Sequence, residues 1–313
     1  MNLKNRFCAM LVTFCFLCGC TSEKSAVPEI AQYNNTKNVI VKEQFVEDKN
    51  YSELCGVVCV NKDVFVVAKQ DNCVINYSDT GDIKKTFGIV GNGEGEFSNP
   101  VAICESDNMI YVADEKDGRI QVFDLDGNFL NIYYIDELNN PDVSVLDIEV
   151  DKNYIYVSIA TFNKGLAHIY AIDKVSGEYN KVGKNNMGVL GKDDDENIYF
   201  AQSFDYFEDG GESGYQDGES YVATIVNGKI VKLFQLPDQY SPSDILVFNN
   251  QLYIFSRACT QIDVFELDGT YVETIFTESS SVSNRGLGYI DIDDNGIVYL
   301  SDRENSVIYK LEK

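Results

Sequence analysis

Short apolar stretches alternate with polar turns along the chain after residue 38, and the same order of stretches returns about every 45 residues. One copy, residues 97–130, reads FSNPVAICESDNMIYVADEKDGRIQVFDLDGNFL. It predicts four short strands joined by polar turns, with Asp-Gly in the last turn because these residues suit a tight hairpin. A repeat of this length with four strands predicts the blades of a β-propeller.

Six copies of this repeat align on the residue that closes the second strand. Two residues before it, five of the six copies carry tyrosine, which is hard to obtain by chance. The spacing stays near 45 residues except between the fourth and fifth copies, where it is 54. The aligned residues are Ala68, Ala113, Ser158, Ala201, Phe255 and Ser301.

The last repeat contains only three strand-like stretches before Lys313, and a single unmatched stretch, residues 38–45, precedes the first repeat. We expect residues 38–45 to supply the outer strand of blade six and thereby close the ring. The alternative is an open six-unit solenoid, which leaves an unpaired strand edge at each end. The sequence thus predicts an all-β, monomeric, six-bladed propeller of four-stranded antiparallel blades over residues 38–313.

Blade two carries the most regular copy of the repeat. Its characteristic residues are Phe87-Gly88, Gly91, Gly93, Gly95, Phe97, Pro100, Ile110-Tyr-Val-Ala-Asp114 and Arg119-Ile-Gln-Val-Phe-Asp124. This pattern resembles the NHL-repeat family of six-bladed propellers, and the other blades match it in part or diverge. The resemblance implies the fold and says little about function, because propellers support binding, scaffolding and catalysis alike.

The N-terminus predicts export and anchoring. Lys4 and Arg6 precede an apolar run over residues 7–17, which is typical of a signal peptide over residues 1–19. The next residues, Leu17-Cys-Gly-Cys20, resemble the lipobox of bacterial lipoproteins and imply lipidation of Cys20, followed by a flexible tether over residues 20–37. The alternative is an ordinary secreted protein.

The combination of this N-terminus and six predicted blades is similar to the propeller lipoproteins common in Bacteroidetes. That resemblance implies a cell-envelope protein held to the outer membrane by its lipid anchor. Residues 21–25 contain one acid and one base, so they leave periplasmic and surface-facing orientations open.

The charge of the chain excludes one class of partner. It has 50 acidic and 25 basic residues, a formal net charge of −25. Such a chain repels phosphate-rich ligands, so we expect it to bind no nucleic acid. The simplest interpretation of the acids is solubility, and the alternative is a site for cations or a basic partner.

Candidate chemistry is sparse. His168 is the only histidine, which disfavours metal centres with several histidines and a Ser-His-Asp hydrolase. Five cysteines follow the predicted lipidation site Cys20 and lack metal-binding spacing, and a disulfide from Cys55 or Cys59 to Cys73 stays open. We therefore expect no cofactor and no catalytic residues, although carboxylate-only catalysis remains as an alternative.

Residues 291–302 resemble a calcium-binding EF-hand loop. The oxygen ligands would be Asp291, Asp293, Asn295 and Asp302. The repeat accounts for the same residues as a hairpin between two inner strands, without the flanking helices of an EF-hand. The sequence therefore predicts no metal site here, with calcium as the weaker alternative.

The best candidate for binding is the insertion in blade four, residues 203–220. It carries Tyr206, Phe207 and Tyr215 among acids and glycines, a composition that suits a glycan or a basic peptide. Long loops are either functional or mobile, and both interpretations stay open. The predicted topology places Arg119, Arg257 and Arg303 on the same face, where they would orient an anionic group.

These features predict a membrane-anchored, non-catalytic propeller that binds a ligand or partner, such as a glycan, a peptide or an envelope protein, on the face of the 203–220 insertion. The first alternative is an enzyme, a carboxylate-based lyase or lactonase in the central channel. The second is a structural subunit of an envelope complex.

Overall fold

The computed structural model describes residues 41–47, 50–139, 142–161, 166–184, 186–209, 212–216, 219–237, 240–277 and 287–312. The predicted signal peptide, the lipidation site Cys20 and the tether lie outside the described residues. Within these ranges no helix is long and apolar enough to cross a membrane. Short 3-10 turns lie at Glu115–Asp117 and Asp136–Asn139, and the regular structure is otherwise β-strand.

The strands follow the order expected from the repeat. The first is β1 (Val41–Glu47), and blade one then contains β2 (Leu54–Val60), β3 (Asp63–Ala68), β4 (Cys73–Tyr77) and β5 (Ile83–Phe87). A small parallel pair, β6 (Ile89–Val90) and β7 (Glu96–Phe97), leads into blade two. Blade two consists of β8 (Pro100–Ser106), β9 (Met109–Asp114), β10 (Arg119–Asp124) and β11 (Phe129–Tyr134).

The remaining blades repeat this arrangement. Blade three consists of β12 (Val143–Val150), β13 (Tyr154–Thr161), β14 (Leu166–Asp173) and β15 (Tyr179–Lys184). Blade four consists of β16 (Asn186–Lys192), β17 (Ile198–Asp209), β18 (Glu212–Gln216), β19 (Tyr221–Val226) and β20 (Lys229–Gln235). Blade five consists of β21 (Pro242–Phe248), β22 (Gln251–Ser256), β23 (Gln261–Glu266) and β24 (Tyr271–Thr277). Blade six contains β25 (Leu287–Ile292), β26 (Val298–Asp302) and β27 (Val307–Glu312).

The ring is closed by the N-terminal strand, as the sequence predicts. In blade six the strand order is β1-β27-β26-β25, and β1 pairs antiparallel with β27 from Val41 opposite Glu312 to Glu47 opposite Val307. The described strand continues to Glu47, past the predicted end at residue 45, and residues 38–40 of the predicted segment lie outside the described ranges. The chain therefore forms a six-bladed propeller in which strand β1 completes the blade formed by β25, β26 and β27.

The hydrophobic core lies between neighbouring blades. Between blades one and two, for example, Phe123 contacts both Phe87 and Phe97, with ring centroids 5.0 Å and 5.6 Å apart. The strands have apolar faces on both sides because each blade is covered by two neighbours. This explains why the inner strands are nearly continuous apolar runs.

The pairing register in blade one corrects the sequence alignment by one residue. Leu54 pairs with Ala68 just as Pro100 pairs with Asp114 in blade two. Ala68 is therefore equivalent to Asp114, and Val67 takes the place that the alignment gave to Ala68. A bulge follows the first residue of each of these inner strands, so sequence spacing alone does not reveal the shift.

The insertion in blade four forms a β-hairpin. Strand β17 continues beyond the blade to Asp209 and pairs with β18, with Tyr206 opposite Tyr215 and Phe207 opposite Gly214. The described part of the insertion thus has regular backbone pairing, whereas residues 210, 211, 217 and 218 lie outside the description.

Candidate active site in the central channel

A cavity of about 460 Å³ occupies one end of the central channel. The innermost strands β2, β8, β12, β16, β21 and β25 all contribute to its wall. It lies toward the hairpin turns that join the first and second strands, where Asp194, Asn249 and Asp294 form part of its rim. The ring closure therefore joins the six inner strands into one continuous wall around a cavity that is open to solvent.

The wall of this cavity is acidic. Five of its acids belong to the inner strands themselves, and two further acids, Asp194 and Asp294, lie in turns at the rim. The five are Glu105, Asp147, Glu149, Asp244 and Asp291. Lys192 is the one basic side chain among the described lining residues. The cavity concentrates negative groups in a confined space, a setting in which their pKa values shift.

Three of these carboxylates join neighbouring blades. Asp147 Oδ2 accepts the backbone N–H of Leu190 in blade four at 2.8 Å, and Asp244 Oδ2 accepts that of Ile290 in blade six at 2.6 Å. Asp291 Oδ2 accepts the N–H of Cys59 in blade one at 2.6 Å.

Local backbone geometry positions two of them. Asp147 and Asp244 each follow a bulge in their strand, and each also accepts the N–H of the next residue at 2.8 Å. A bulge changes the direction of the side chains that follow it, which fits the turn of these two carboxylates toward the neighbouring blade.

Burial raises the pKa values of all three carboxyl groups. For Asp291 the pKa rises to about 7, because burial outweighs the hydrogen bonds from the Cys59 and Ile292 N–H groups. Burial also raises the pKa of Asp147 and of Asp244, and for Asp244 the nearby Asp147 charge adds to the rise. These groups therefore carry protons at a pH where exposed aspartates are ionised.

Glu149 combines a raised pKa with a place on the cavity wall. Burial raises its pKa to about 8, while attraction to Lys192 and the Val150 N–H oppose the rise. Its Oε1 accepts that N–H at 2.8 Å. Glu149 pairs with Tyr156 and Asp291 with Tyr299, and these tyrosines hold one repeat position. Since blades three and six are opposite in the ring, Glu149 and Asp291 occupy equivalent places across the channel.

Lys192 remains charged beside these acids. Burial disfavours its ammonium form, but attraction to Glu149 and Glu196 outweighs burial and raises its pKa. The Nζ atom lies 3.3 Å from Glu196 Oε1 and 3.4 Å from Ser106 Oγ. The cavity thus contains a fixed positive charge next to carboxyl groups that exchange protons near neutral pH. That combination supports general acid–base chemistry.

The cysteines do not supply a nucleophile. All five described cysteines are free thiols, so the disulfide alternative is not formed. Cys59 and Cys104 line the cavity, and burial raises the pKa of each thiol well above its ordinary value. Both are therefore neutral thiols, which are poor nucleophiles.

The predicted calcium ligands are spread along the hairpin of β25 and β26. Asp293 Oδ1 accepts the turn N–H groups of Asn295 and Ile297, each at 2.9 Å, and Asp302 binds the backbone and side chain of Asn305. Asp291 is held by Cys59. In the described part of the chain, no group of three or more His, Cys, Asp or Glu side chains is placed to hold a metal ion. These contacts favour the hairpin interpretation.

The other predicted site residues lie apart from the acidic cavity. Arg119 is buried, 2% exposed, and its guanidinium binds Asp114 and the backbone oxygens of Asn92 and Glu96. Arg257 and Arg303 are exposed in the turns after the second strands of blades five and six. The structure therefore brings Arg257 and Arg303 to one face and gives Arg119 a packing role within blade two.

Sequence reasoning missed Asp147, Glu149, Lys192 and Asp244 as functional residues and treated Asp291 only as a calcium candidate. The signal available was the presence of acids in inner-strand positions where other blades carry apolar residues. Asp147 and Asp244 share one such position, which blades two and four fill with Ala102 and Val189.

Comparisons with known proteins support the fold. No family-level sequence profile matches the chain. A segment of 47 residues is 45% identical to protein lin-41 of Caenorhabditis elegans, a match that covers 15% of this chain and 4% of that protein. This match supports an NHL-like repeat in the segment concerned.

Solved structures with the same fold include several enzymes. A streptogramin B lyase has a TM-score of 0.56 at 16% identity, over 87% of this chain and 97% of that chain. A gluconolactonase from Xanthomonas campestris has a TM-score of 0.62 at 13% identity, over 91% and 93%. An aldose sugar dehydrogenase from Streptomyces coelicolor has a TM-score of 0.55 at 13% identity, over 87% and 99%. At these identities the likeness establishes the shared fold.

The expectation of a non-catalytic binding propeller needs correction. The similar structures are a lyase, a lactonase and a dehydrogenase, which favour the enzyme alternative over the binding interpretation. The sequence argument failed because it looked for histidines and metal ligands. It did not recognise that ring closure buries carboxyl groups from opposite blades in a common cavity.

Proposed function

We propose that this protein is an enzyme that opens cyclic esters by carboxyl acid–base catalysis in the central channel. The observation that carries the proposal is Glu149, whose pKa of about 8 belongs to a carboxyl group on the wall of a 460 Å³ cavity, beside charged Lys192. Acids and bases are most effective when their pKa lies near the working pH. A partly exposed carboxyl group with such a pKa is suited to donate a proton at neutral pH.

We assign different catalytic roles to Asp291 and Glu149, which lie on opposite blades of the channel. Asp291, with a pKa of about 7, is partly ionised at neutral pH and acts as the base that activates water or removes a proton. Glu149 on the opposite blade is mostly protonated and donates its proton to the departing ring oxygen. Lys192 stabilises the negative charge that develops on the ester carbonyl oxygen.

The similar structures support this reaction class in part. One is named as a lyase and another as a gluconolactonase, and both share the propeller fold at low sequence identity. Ring opening by hydrolysis adds one water to the substrate, whereas ring opening by elimination leaves its mass unchanged. Mass spectrometry of the product therefore distinguishes a lactonase from a lyase.

The test incubates the purified protein with simple lactones, sugar lactones and cyclic depsipeptides, and follows ring opening by mass spectrometry. We expect turnover of at least one class, and a loss of about 10²- to 10⁴-fold in kcat/KM for Glu149→Gln. Asp126→Asn, in an outer turn of blade two, is the matched control and should keep wild-type activity. The proposal fails if the folded protein opens no member of the panel, or if Glu149→Gln is as active as wild type.

We also propose that Cys20 anchors this enzyme to the outer membrane, on the basis of the lipobox-like sequence at residues 17–20. Mass spectrometry of the membrane fraction tests this part separately, and an unmodified Cys20 would refute it.

A further inference from the structure

A second, smaller cavity of about 160 Å³ lies at the opposite end of the channel from the acidic one. Its walls come from the first residues of the inner strands of blades three, four and five. Val145, Leu146, Met187 and Val189 supply an apolar side of the cavity, and Ser243 and Arg257 contribute polar groups to the rest of the wall. The two ends of the channel therefore differ in both size and charge.

Arg257 is placed to reach over this cavity. Its backbone N–H donates to Ser241 O at 3.2 Å, which fixes the turn that carries it. The guanidinium extends toward blade six, where Nη2 lies 4.0 Å from the position that a Cβ atom on Gly288 would occupy. Among the described residues no carboxylate forms an ion pair with Arg257.

The chain has 50 acidic and 25 basic residues, yet in the described structure neither Arg257 nor Arg303 forms an ion pair, and of these two arginines only Arg257 lines the cavity. A guanidinium binds carboxylates in a two-pronged geometry that a lysine cannot reproduce. At 0.15 M salt the field of acids farther away than about 8 Å is screened, and Arg257 supplies the positive charge at this cavity.

Tyr289 contributes to both cavities and lies between them. Burial raises the pKa of its hydroxyl, and the charges of Asp147 and Asp244 add to the rise, while Arg257 opposes it. The side chain is therefore a neutral phenol with the acidic groups on one side and the arginine on the other. It separates a region that repels anions from a region that attracts them.

We propose that this smaller cavity binds the carboxylate of a small apolar acid. The carboxylate pairs with the Arg257 guanidinium, and the hydrocarbon part contacts the wall formed by Val145, Leu146, Met187 and Val189. Sites for small ligands commonly combine an apolar wall with a few orienting polar groups. This site is separate from the acidic cavity, and its existence does not depend on the proposed ring-opening reaction.

Hexanoate is the probe for this site, and hexanamide is its neutral counterpart of almost the same shape. Isothermal titration calorimetry on the purified protein should show saturable hexanoate binding, with hexanamide at least about tenfold weaker because it lacks the charge. Arg257→Gln should weaken hexanoate binding by about tenfold or more. Arg303→Gln is the matched control, since Arg303 is exposed in the corresponding turn of blade six and does not line the cavity.

Three results would overturn the proposal: no saturable binding of hexanoate, equal binding of hexanoate and hexanamide, or unchanged binding in Arg257→Gln. Since Arg257 is exposed, its replacement leaves the fold intact, and equal melting temperatures for the two arginine variants check this. A second variant, Leu146→Glu, places a negative charge on the cavity wall and should also abolish hexanoate binding. Loss of lactone opening in Glu149→Gln with intact hexanoate binding would show that the two sites are independent.

Discussion

Blade two and the central channel both contain carboxyl groups shielded from water, and different groups form hydrogen bonds with them in the two regions. In blade two, Asp114 Oδ2 accepts Arg119 Nε at 3.0 Å and Nη2 at 2.9 Å, with both side chains almost fully buried. In the channel, Asp147, Asp244 and Asp291 accept backbone N–H groups of their own and the neighbouring blades, and among the described residues no lysine or arginine forms an ion pair with them.

A buried cation changes how far burial raises the pKa of a neighbouring carboxyl group. Burial raises the pKa of Asp114 as well, but the Asn99 N–H and the hydrogen-bonded Arg119 oppose the rise directly. Asp291 receives N–H groups without such a cation, and its pKa rises to about 7. Blade two therefore holds an ion pair that stabilises its structure, whereas the channel holds groups that exchange protons near neutral pH.

Removing the cation from blade two should have the largest effect on stability. Arg119→Met leaves Asp114 buried without its partner and removes the anchor of the backbone at Asn92 and Glu96. We expect the free energy of unfolding to fall by about 3–5 kcal/mol. Urea denaturation followed by circular dichroism measures this loss.

The matched control is Arg303→Met, which removes an exposed arginine from blade six and should cost little. The double variant with Asp114→Asn should recover part of the loss, because the uncompensated charge is then absent. An Arg119→Met protein within 1 kcal/mol of wild type, a margin well below the usual cost of breaking a buried pair, would contradict this account of blade two.

Removing an exposed ion pair should have the smallest effect on stability. Lys84 Nζ lies 2.6 Å from Asp63 Oδ2, with the lysine side chain 49% exposed. Water already solvates both charges, so Lys84→Ala should lower the free energy of unfolding by at most about 1 kcal/mol. Urea denaturation also measures this effect. If Lys84→Ala lowers the free energy of unfolding as much as Arg119→Met does, burial does not explain why the Arg119 pair matters more.

The sequence predicts most of the fold because the repeat is visible in it. The strand order, the six blades and the pairing of an N-terminal strand with β27 follow from counting copies, and the structure confirms them. The register of blade one was wrong by a residue, because the bulge after Leu54 leaves no mark in the spacing. The closing strand also ends at Glu47 instead of residue 45, since the ends of short strands depend on their partners.

The channel site was not predictable in the same way. Residues 143–150 read Val-Ser-Val-Leu-Asp-Ile-Glu-Val, a pattern that usually describes a strand with one face in water. Only closure of the ring places Asp147 and Glu149 in a common cavity with Asp291. Burial of these acids depends on contacts between blades that are distant in sequence, and no local pattern records such contacts.

The central claim is that Glu149 keeps its proton until well above the ordinary range for a glutamate. Carboxyl ¹³C NMR of protein labelled at glutamate measures this directly, and the Glu149→Gln variant identifies the signal by its absence. We predict an inflection at a pKa of about 8 that disappears in Glu149→Gln. If the signal lost in the variant instead titrates near the ordinary glutamate value of about 4.3, the account of the channel as an acid–base site is contradicted.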